Sequence, residues 1–501
     1  MDVTKEYEYL NGVLNKNNLN TDWNSYIDST ISVNNISEWD EIYEEIISKQ
    51  SEISLSYRYY EQGYFLIVLY SDRTIYTLSD QSALTTSDLS DIVKHICMTC
   101  KVYMWNIKHF MKMFMNHIAH EDLIRIYKNL IDTQILSYIV TLRKNGGLKE
   151  GEFIRSEYHD KVKIFIEKVY KSDKHYYFIP RNILSKAMAQ EAASAFVCGE
   201  LFYSLATKLN MVRLMYRMQL LSIVLSDIEQ SDIFVKMKSF ADLAEDGLTF
   251  KKETVNLLKY CQKWQTNRLP IEYKHMSSTT GRLSFSTKNG VNILSYPKDE
   301  TRSLIVPEFD EFISLDAKGM EVFYIVSKNT KLLESTEIHN DFDIYQFILD
   351  RLDIKTSRSK LKNFLIRWLY GSANFDDDEN KLKTEIEAKL PELIPEGHFR
   401  IPIYHQTDYG RVIKLNGSHT KFLNNIPQSE AHDMMLDCII KLWNTMKLMK
   451  MQSKIKLLIH DQVILDAKRS ERTVILKLIQ TIFTGKFPYR YAIGGDWKEV
   501  S

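Results

Sequence analysis

A chain of 501 residues is long enough for more than one domain and a sizeable core. Its 44% hydrophobic and 26% charged residues are those of an ordinary globular protein, and a formal net charge of zero excludes any argument for a nucleic-acid partner from composition alone. Charge is unevenly spread, however. From Lys251 to Arg302 there are ten Lys/Arg against four Asp/Glu, and from Ile354 to Gly371 five Lys/Arg and no acid, which fits a surface that touches phosphate locally. Met1-Asp2-Val3-Thr4-Lys5-Glu6 lacks a basic start and an apolar core, so no secretory signal is expected. The apolar run Tyr64 to Tyr70 is too short to span a bilayer, so no membrane partner is expected. Five cysteines (Cys97, Cys100, Cys198, Cys261, Cys438) without a framework argue for a reducing compartment. The single Cys97-x-x-Cys100 pair lacks the second pair that a zinc site needs.

In chain order, residues 1–50 read as a polar N-terminal extension with helical periodicity around Trp39 to Ile47. Ile53–Tyr60, Tyr64–Tyr70 and Thr74–Leu78 alternate and are rich in β-branched and aromatic residues, which predicts three antiparallel strands. A helix, a short strand at Lys101–Trp105 and further helices follow, with a loop at Asn145-Gly146-Gly147. Residues 185–265 are mostly helical, and Leu269-Pro270 marks a boundary beyond which strand and helix mix to the end. The fold class expected is α+β and multidomain.

The most informative stretch is Arg358-x3-Lys362-x3-Ile366-x3-Tyr370-Gly371. On a helix, a spacing of four keeps these side chains on one face. That face carries two cations suited to a triphosphate, a core-like apolar contact at Ile366, and an aromatic beside a glycine, which suits a base. Two carboxylates flank it in sequence, each closing an apolar strand-like run: Phe312-Ile313-Ser314-Leu315-Asp316 and Leu457-Leu458-Ile459-His460-Asp461. Nucleotidyl transfer needs positioned phosphates and neutralised developing charge, and two metal ions can supply both. Magnesium accepts few carboxylates, so two aspartates at strand ends suffice. Each residue alone has an ordinary explanation: Arg358 and Lys362 as a solvated helix face, Asp316 or Asp461 as a turn residue, Glu321 as a helix acid, His460 as a core histidine, Arg282 as a turn residue, Gln428 as a helix cap.

Taken in order, the blocks over roughly residues 270–501 resemble family A DNA polymerases. Thr280-Gly281-Arg282-Leu283-Ser284 resembles the family's T-G-R-L-S, and Leu315-Asp316-Ala317-Lys318-Gly319-Met320-Glu321 its motif A, D-Y-S-Q-I-E. Arg358 to Gly371 resembles motif B, and Ile459-His460-Asp461-Gln462 motif C, V-H-D-E. Asn424-x3-Gln428 and Gly494-Gly495-Asp496-Trp497 are weaker echoes of N-x3-Q and G-x-x-W. The resemblance implies a right-hand polymerase at 271–501, with an antiparallel palm sheet and helical fingers inserted at about 330–400. It also implies a reduced helical thumb at 201–270. Asp316, Asp461 and the Ala317 carbonyl would hold two Mg2+ ions, with Mn2+ as a substitute. Arg358 and Lys362 would grip the triphosphate, Ile366 would lie beneath the sugar, Tyr370 would stack near the templating base with Gly371 leaving room, and Glu321 would exclude a 2′-hydroxyl. Arg282, Gln428, Asn424 and Thr280 would face DNA, and His460 the primer terminus. Primer–template DNA and deoxynucleotides are the implied partners, replisome proteins further ones, and the cytoplasm (a host's, for a compact phage or mobile-element enzyme) the implied location.

The chain departs from the family at Gln462, where an amide replaces the usual Glu, and at Ile366, which replaces an aromatic. Residues 51–200 more faintly resemble the family's 3′–5′ exonuclease domain, an RNase H-like α/β fold. Trp105-Asn106-Ile107-Lys108-His109-Phe110 echoes N-x-K-Y-D with Phe110 at the aspartate, and Asp132-Thr133-x3-Ser137-Tyr138 echoes D-T-x3-S-Y. Ile53–Tyr59 has no D-x-E, and Gln190-Glu191-Ala192-Ala193 keeps one acid, so a folded but inactive domain is expected. The readings open at this point are a template-dependent DNA polymerase without proofreading, a polymerase fold kept as a DNA-binding or replisome scaffold, and a specialised gap-filling or bypass enzyme.

Overall fold

The computed structural model describes residues 22–49, 52–60, 64–114, 118–142, 157–164, 179–236, 252–286, 291–296, 300–327, 342–369, 374–389 and 403–501. The chain divides into two compact units, Met1–Ser226 and Asp227–Ser501. The division falls inside the stretch that the resemblance assigns to the thumb.

The first unit is built on a six-stranded mixed sheet. Its strands are β1 (Ser29–Val33), β2 (Ile53–Tyr60), β3 (Tyr64–Ser71), β4 (Thr74–Ser79), β5 (Val102–Met104) and β6 (Leu130–Asp132), in the order β1-β4-β3-β2-β5-β6. The β2–β3–β4 meander is antiparallel, whereas β5 and β6 add in parallel to β2, and β1 adds in parallel to β4. Among β2 to β6 the spatial order is therefore third, second, first, fourth, fifth, with the second strand alone reversed. Helices α1 (Ile36–Ser48), α2 (Thr86–Thr99), α3 (Ile107–Phe114), α4 (His120–Asn129), α5 (Thr133–Thr141) and α6 (Arg181–Lys208) accompany the sheet, followed by α7 (Val212–Gln230). The segment predicted as a helical extension thus also carries a strand. Its β-branched run pairs along β4 and covers what would otherwise be an open sheet edge.

Long α6 packs on β2, β3 and β5 through small residues (Ala189, Ala192, Ala193, Ala195), and the Ser54 hydroxyl donates to the Ala192 carbonyl at 2.6 Å. Asp132, buried at the end of β6, caps α5. Its Oδ1 accepts the N–H groups of Gln134 and Ile135, and its Oδ2 accepts that of Ile107. Burial nevertheless outweighs these donors and pushes its carboxyl up to about 6.

The second unit holds α8 (Lys252–Trp264) and a four-stranded, wholly antiparallel sheet of β7 (Glu311–Ala317), β8 (Lys454–Ile459), β9 (Gln462–Ala467) and β10 (Tyr489–Gly494), ordered β8-β9-β7-β10. Between β7 and β8 run α9 (Met320–Ser327), α10 (Ile344–Leu352), α11 (Arg358–Leu369), α12 (Asp377–Lys389) and the 30-residue α13 (His419–Leu448), while α14 (Arg472–Phe483) joins β9 to β10. β9 is buried along its whole length, so β7 and β9 form the rigid centre. Helix α11 buries Leu361, Phe364, Leu365 and Trp368 on its back face. Each contributes on the order of 1.5–3 kcal/mol of apolar burial, and together they fix which face the helix presents. Beyond β10, Trp497 is fully buried, with the Arg302 guanidinium 4.3 Å from its ring centre. Among the described residues no helix is long and apolar enough to cross a membrane.

Candidate active site

Asp316 is the sixth residue of β7 and Asp461 lies in the two-residue turn joining β8 to β9. Register makes them neighbours. Asp316 pairs with Gln462, and the Ala317 N–H donates to the Asp461 carbonyl at 3.0 Å. The turn requires His460 at φ +52°, a conformation that costs a non-glycine residue of order 1 kcal/mol and is held by the strand pairing on either side. Across Gly319, also left-handed at φ +56°, the chain enters α9 and brings Glu321 over the same sheet end. A Cβ at Gly319 would lie 3.2 Å from the Tyr345 hydroxyl, a tight contact, and the left-handed backbone disfavours a side chain there.

These elements enclose one side of a cavity of 570 Å³, and α10 and α11 enclose the other. Asp316, Ala317, Glu321 and Asp461 line it from the sheet side, and Arg358, Lys362 and Ile366 from α11. Seven of the residues singled out in the sequence, drawn from three separate segments, therefore face one space. Residue type suggests a core-like place for Ile366. It is instead 36% exposed and faces the cavity, because the apolar back face of α11 is already complete without it. Tyr370 and Gly371 lie outside the described residues.

The remaining candidates sit apart from the cavity lining. The Thr280 hydroxyl donates to Gln428 Oε1 at 2.8 Å, and Thr280 is buried, so it braces Gln428 rather than presenting itself. Asn424 is half-buried one turn earlier on α13, and His460 is exposed at its turn. The His460 ring is held below its ordinary value by partial desolvation and then by the cations Arg282 and Arg302. Gly281, at φ +83°, lies so close to Arg411 that a Cβ would come within 2.6 Å of the guanidinium; Arg411 itself is locked on buried Asp433 at 3.0 and 2.8 Å.

Charge in the site is organised in pairs. Arg282 Nη2 donates to Glu321 Oε1 at 2.5 Å, Arg358 Nε to Asp343 Oδ2 at 2.6 Å, and Arg490 Nε to Asp316 Oδ2 at 3.0 Å. Burial disfavours the charge on Asp343, but Arg358 and the N–H groups of Gln346 and Tyr345 outweigh it and hold the carboxyl below its ordinary value. Arg358 and Lys362 also lie 5.4 and 6.0 Å from the centre of the buried Tyr345 ring. Asp461 is the exception. Burial first, and then the charge of Glu321, push its carboxyl up to about 6, with Arg282 opposing and Asp316 adding to the rise. A cation beside Asp461 would offset that burial and repulsion.

Sequence reasoning missed Asp343, Tyr345 and Arg490. Asp343 carries a visible signal, since it caps α10 through the N–H groups of Tyr345 and Gln346 just before an amphipathic run. Arg490 carries none, because it reaches Asp316 across strands 174 positions apart.

Among the described residues no group of three His, Cys, Asp or Glu side chains is gathered as a metal cage. Two adjacent carboxylates with a strand-end carbonyl, one of them short of positive charge, do fit magnesium, which takes one or two protein carboxylates and fills its shell with water and phosphate oxygens. Gln462 takes no part. Its Nε2 donates to Ser314 Oγ at 2.7 Å and to the Val500 carbonyl at 3.0 Å, inside the sheet.

Over 315 residues, 54% of the chain, the sequence is 23% identical to the DNA polymerase I of Borreliella burgdorferi. The chain is similar to DNA polymerase I. A second such enzyme, from Caldicellulosiruptor bescii, is 24% identical over 274 residues. The matches take up 34% and 32% of those proteins, so the chain spans about a third of the length of the DNA polymerase I sequences it matches. No family model matches. A solved structure of the POL domain of Pol1 from M. smegmatis, in complex with DNA primer-template and dNTP, covers 94% of this chain and 100% of its own, at 13% identity and a TM-score of 0.65. The fold is therefore that of a DNA polymerase I polymerase domain.

Proposed function

We propose that the chain is a template-dependent DNA polymerase that adds deoxynucleotides to a primer 3′-hydroxyl and has no proofreading activity. The observation that carries this is the single cavity lined by Asp316, Ala317, Glu321, Arg358, Lys362, Ile366 and Asp461. Asp316, Asp461 and the Ala317 carbonyl would hold two magnesium ions, or manganese in their place, which when bound supply activation of the attacking oxygen and neutralisation at the leaving oxygen. Arg358 opens α11, where a cation works against the helix dipole but a bound phosphate is favoured by it. Arg358 as a fork and Lys362 one turn on as a point charge would then grip a triphosphate at that helix end. Glu321, held by Arg282, would crowd the sugar 2′ position, with Ile366 beneath the ring. Tyr370 and Gly371 would serve the templating base. Arg282, Asn424 and Gln428 would face the primer–template, with Thr280 as brace, and His460 would lie by the primer end. On this reading residues at about 330–400, with α10, α11 and α12, are the fingers and residues 201–270 a reduced thumb. Replisome partners, a cytoplasmic site of action and a phage or mobile-element origin belong to the same proposal.

Residues 51–200 we read as a degenerate exonuclease-like domain. The five-strand order of β2 to β6 supports this, as an RNase H-like sheet has that order. Where a catalytic aspartate would be needed, Phe110 is fully buried, with its ring 5.2 Å from Tyr57 and 4.7 Å from Phe114. Glu191, the acid left in the last motif, is bound by Arg58 of β2 at 2.9 Å. An aromatic core and a fixed guanidinium stand where metal-binding carboxylates would be required.

The test is extension of a labelled primer on a template with magnesium and four deoxynucleotides. The wild type extends it, Asp461→Ala does not, and neither degrades a labelled single strand. Failure of the wild type to extend would leave the scaffold reading. Strand degradation that survives Asp316→Ala would overturn the inactive-exonuclease reading.

A further inference from the structure

Arg490 stands on β10 directly opposite Asp316 of β7 in the antiparallel register, so the two side chains share a face. Its Nε donates to Asp316 Oδ2 at 3.0 Å, and it lines the same cavity as Asp316 and Asp461. The pair is open to solvent: the Arg490 side chain is 53% exposed and that of Asp316 33%. An ion pair this exposed adds little to stability. Its position matters more. A divalent cation on Asp316 must either take Oδ2 from the guanidinium or bind beside a fixed positive charge.

We propose that Arg490 is a counter-ion that holds the Asp316 carboxylate from the β10 side, the side away from the Asp461 turn, until a divalent cation takes it, and that it lowers the affinity of the site for that cation. The proposal rests on the metal-site reading of Asp316 and Asp461. With the ion bound, the released guanidinium remains at the cavity wall and the site regains the positive charge it needs to accept a polyanionic nucleotide. Metal and nucleotide thereby favour each other's binding.

The test is titration of the intact chain with Mn2+, without DNA or nucleotide, reading bound ion by electron paramagnetic resonance. Removing one positive charge near a divalent ion predicts binding about three- to tenfold tighter in Arg490→Gln, and in Arg490→Met as a second neutral variant. Arg490→Lys, which keeps the charge, stays near wild type. A purely structural role predicts the opposite sign, since loosening Asp316 would weaken the site. Unchanged or weaker Mn2+ binding in both neutral variants therefore overturns the proposal. Asp316→Asn separates the two levels of the argument. If it binds Mn2+ as the wild type does, the metal assignment fails and the proposal with it. If it loses the ion while the neutral Arg490 variants bind no tighter, the Arg490 proposal alone fails.

Discussion

At Gln462 the difference between an amide and a carboxylate decides a role. The side chain donates to Ser314 Oγ and to the Val500 carbonyl, and a carboxylate could do neither at neutral pH. Gln462→Glu would set a buried anion against a carbonyl oxygen. It should destabilise the chain by about 1–3 kcal/mol, visible as a lower unfolding temperature, without raising primer extension. An increase in activity with unchanged stability would show that the position still belongs to the metal site. Glu321 makes the complementary case, a polar residue whose partner fixes it for use. Arg282 holds it at 2.5 Å at the cavity wall. Glu321→Ala should raise ribonucleotide incorporation relative to deoxynucleotide by at least about tenfold, read from kcat/KM for the two sugars. Unchanged sugar selectivity would remove Glu321 from that role. The residue types at both positions were legible in the sequence. What they touch was not, because Val500 and Arg282 lie 38 and 39 positions away.

Among the elements, the strands of the meander and the helix opening at Arg358 were readable because alternation and a spacing of four are local signals. β1 escaped because four of its five residues are exposed, which leaves no apolar alternation to see. Helices α10 and α11 meet through a contact that no periodicity predicts, the pairing of Asp343 with Arg358. On the proposed reading, a triphosphate bound at Arg358 would compete with that carboxylate. Asp343→Asn keeps the cap on α10 but removes the competing charge, so nucleotide KM should fall a few-fold, by roughly 2–5 times; a raised KM would mean that Asp343 positions Arg358 instead. In the first unit, Asp132 ties β6 to α3 and α5. Its folded-state value of about 6 exceeds the ordinary 3.8, so the folded state holds the proton more tightly. That contribution, on the order of 3 kcal/mol, is complete below about pH 4 and lost as pH rises through about 6. The advantage of the wild type over Asp132→Asn in unfolding temperature should shrink over that interval. A difference independent of pH would show that the carboxyl does not titrate there.

At the scale of the whole molecule, a four-stranded sheet and its helices gather three distant segments, around Asp316, Arg358 and Asp461, at one cavity. That gathering was expected only through the resemblance of the ordered motifs to family A polymerases, since nothing local in the three segments says that they meet. The internal counter-ions Asp343 and Arg490 were not predictable, because they depend on which surfaces the fold brings together. The most direct test is single-nucleotide addition to a primer with magnesium, opposite each of the four template bases in turn. Template-dependent synthesis at this cavity predicts that the complementary deoxynucleotide alone is added efficiently in each case, and that Asp461→Ala adds none. Addition without regard to the template base, or no addition by the wild type, would contradict it.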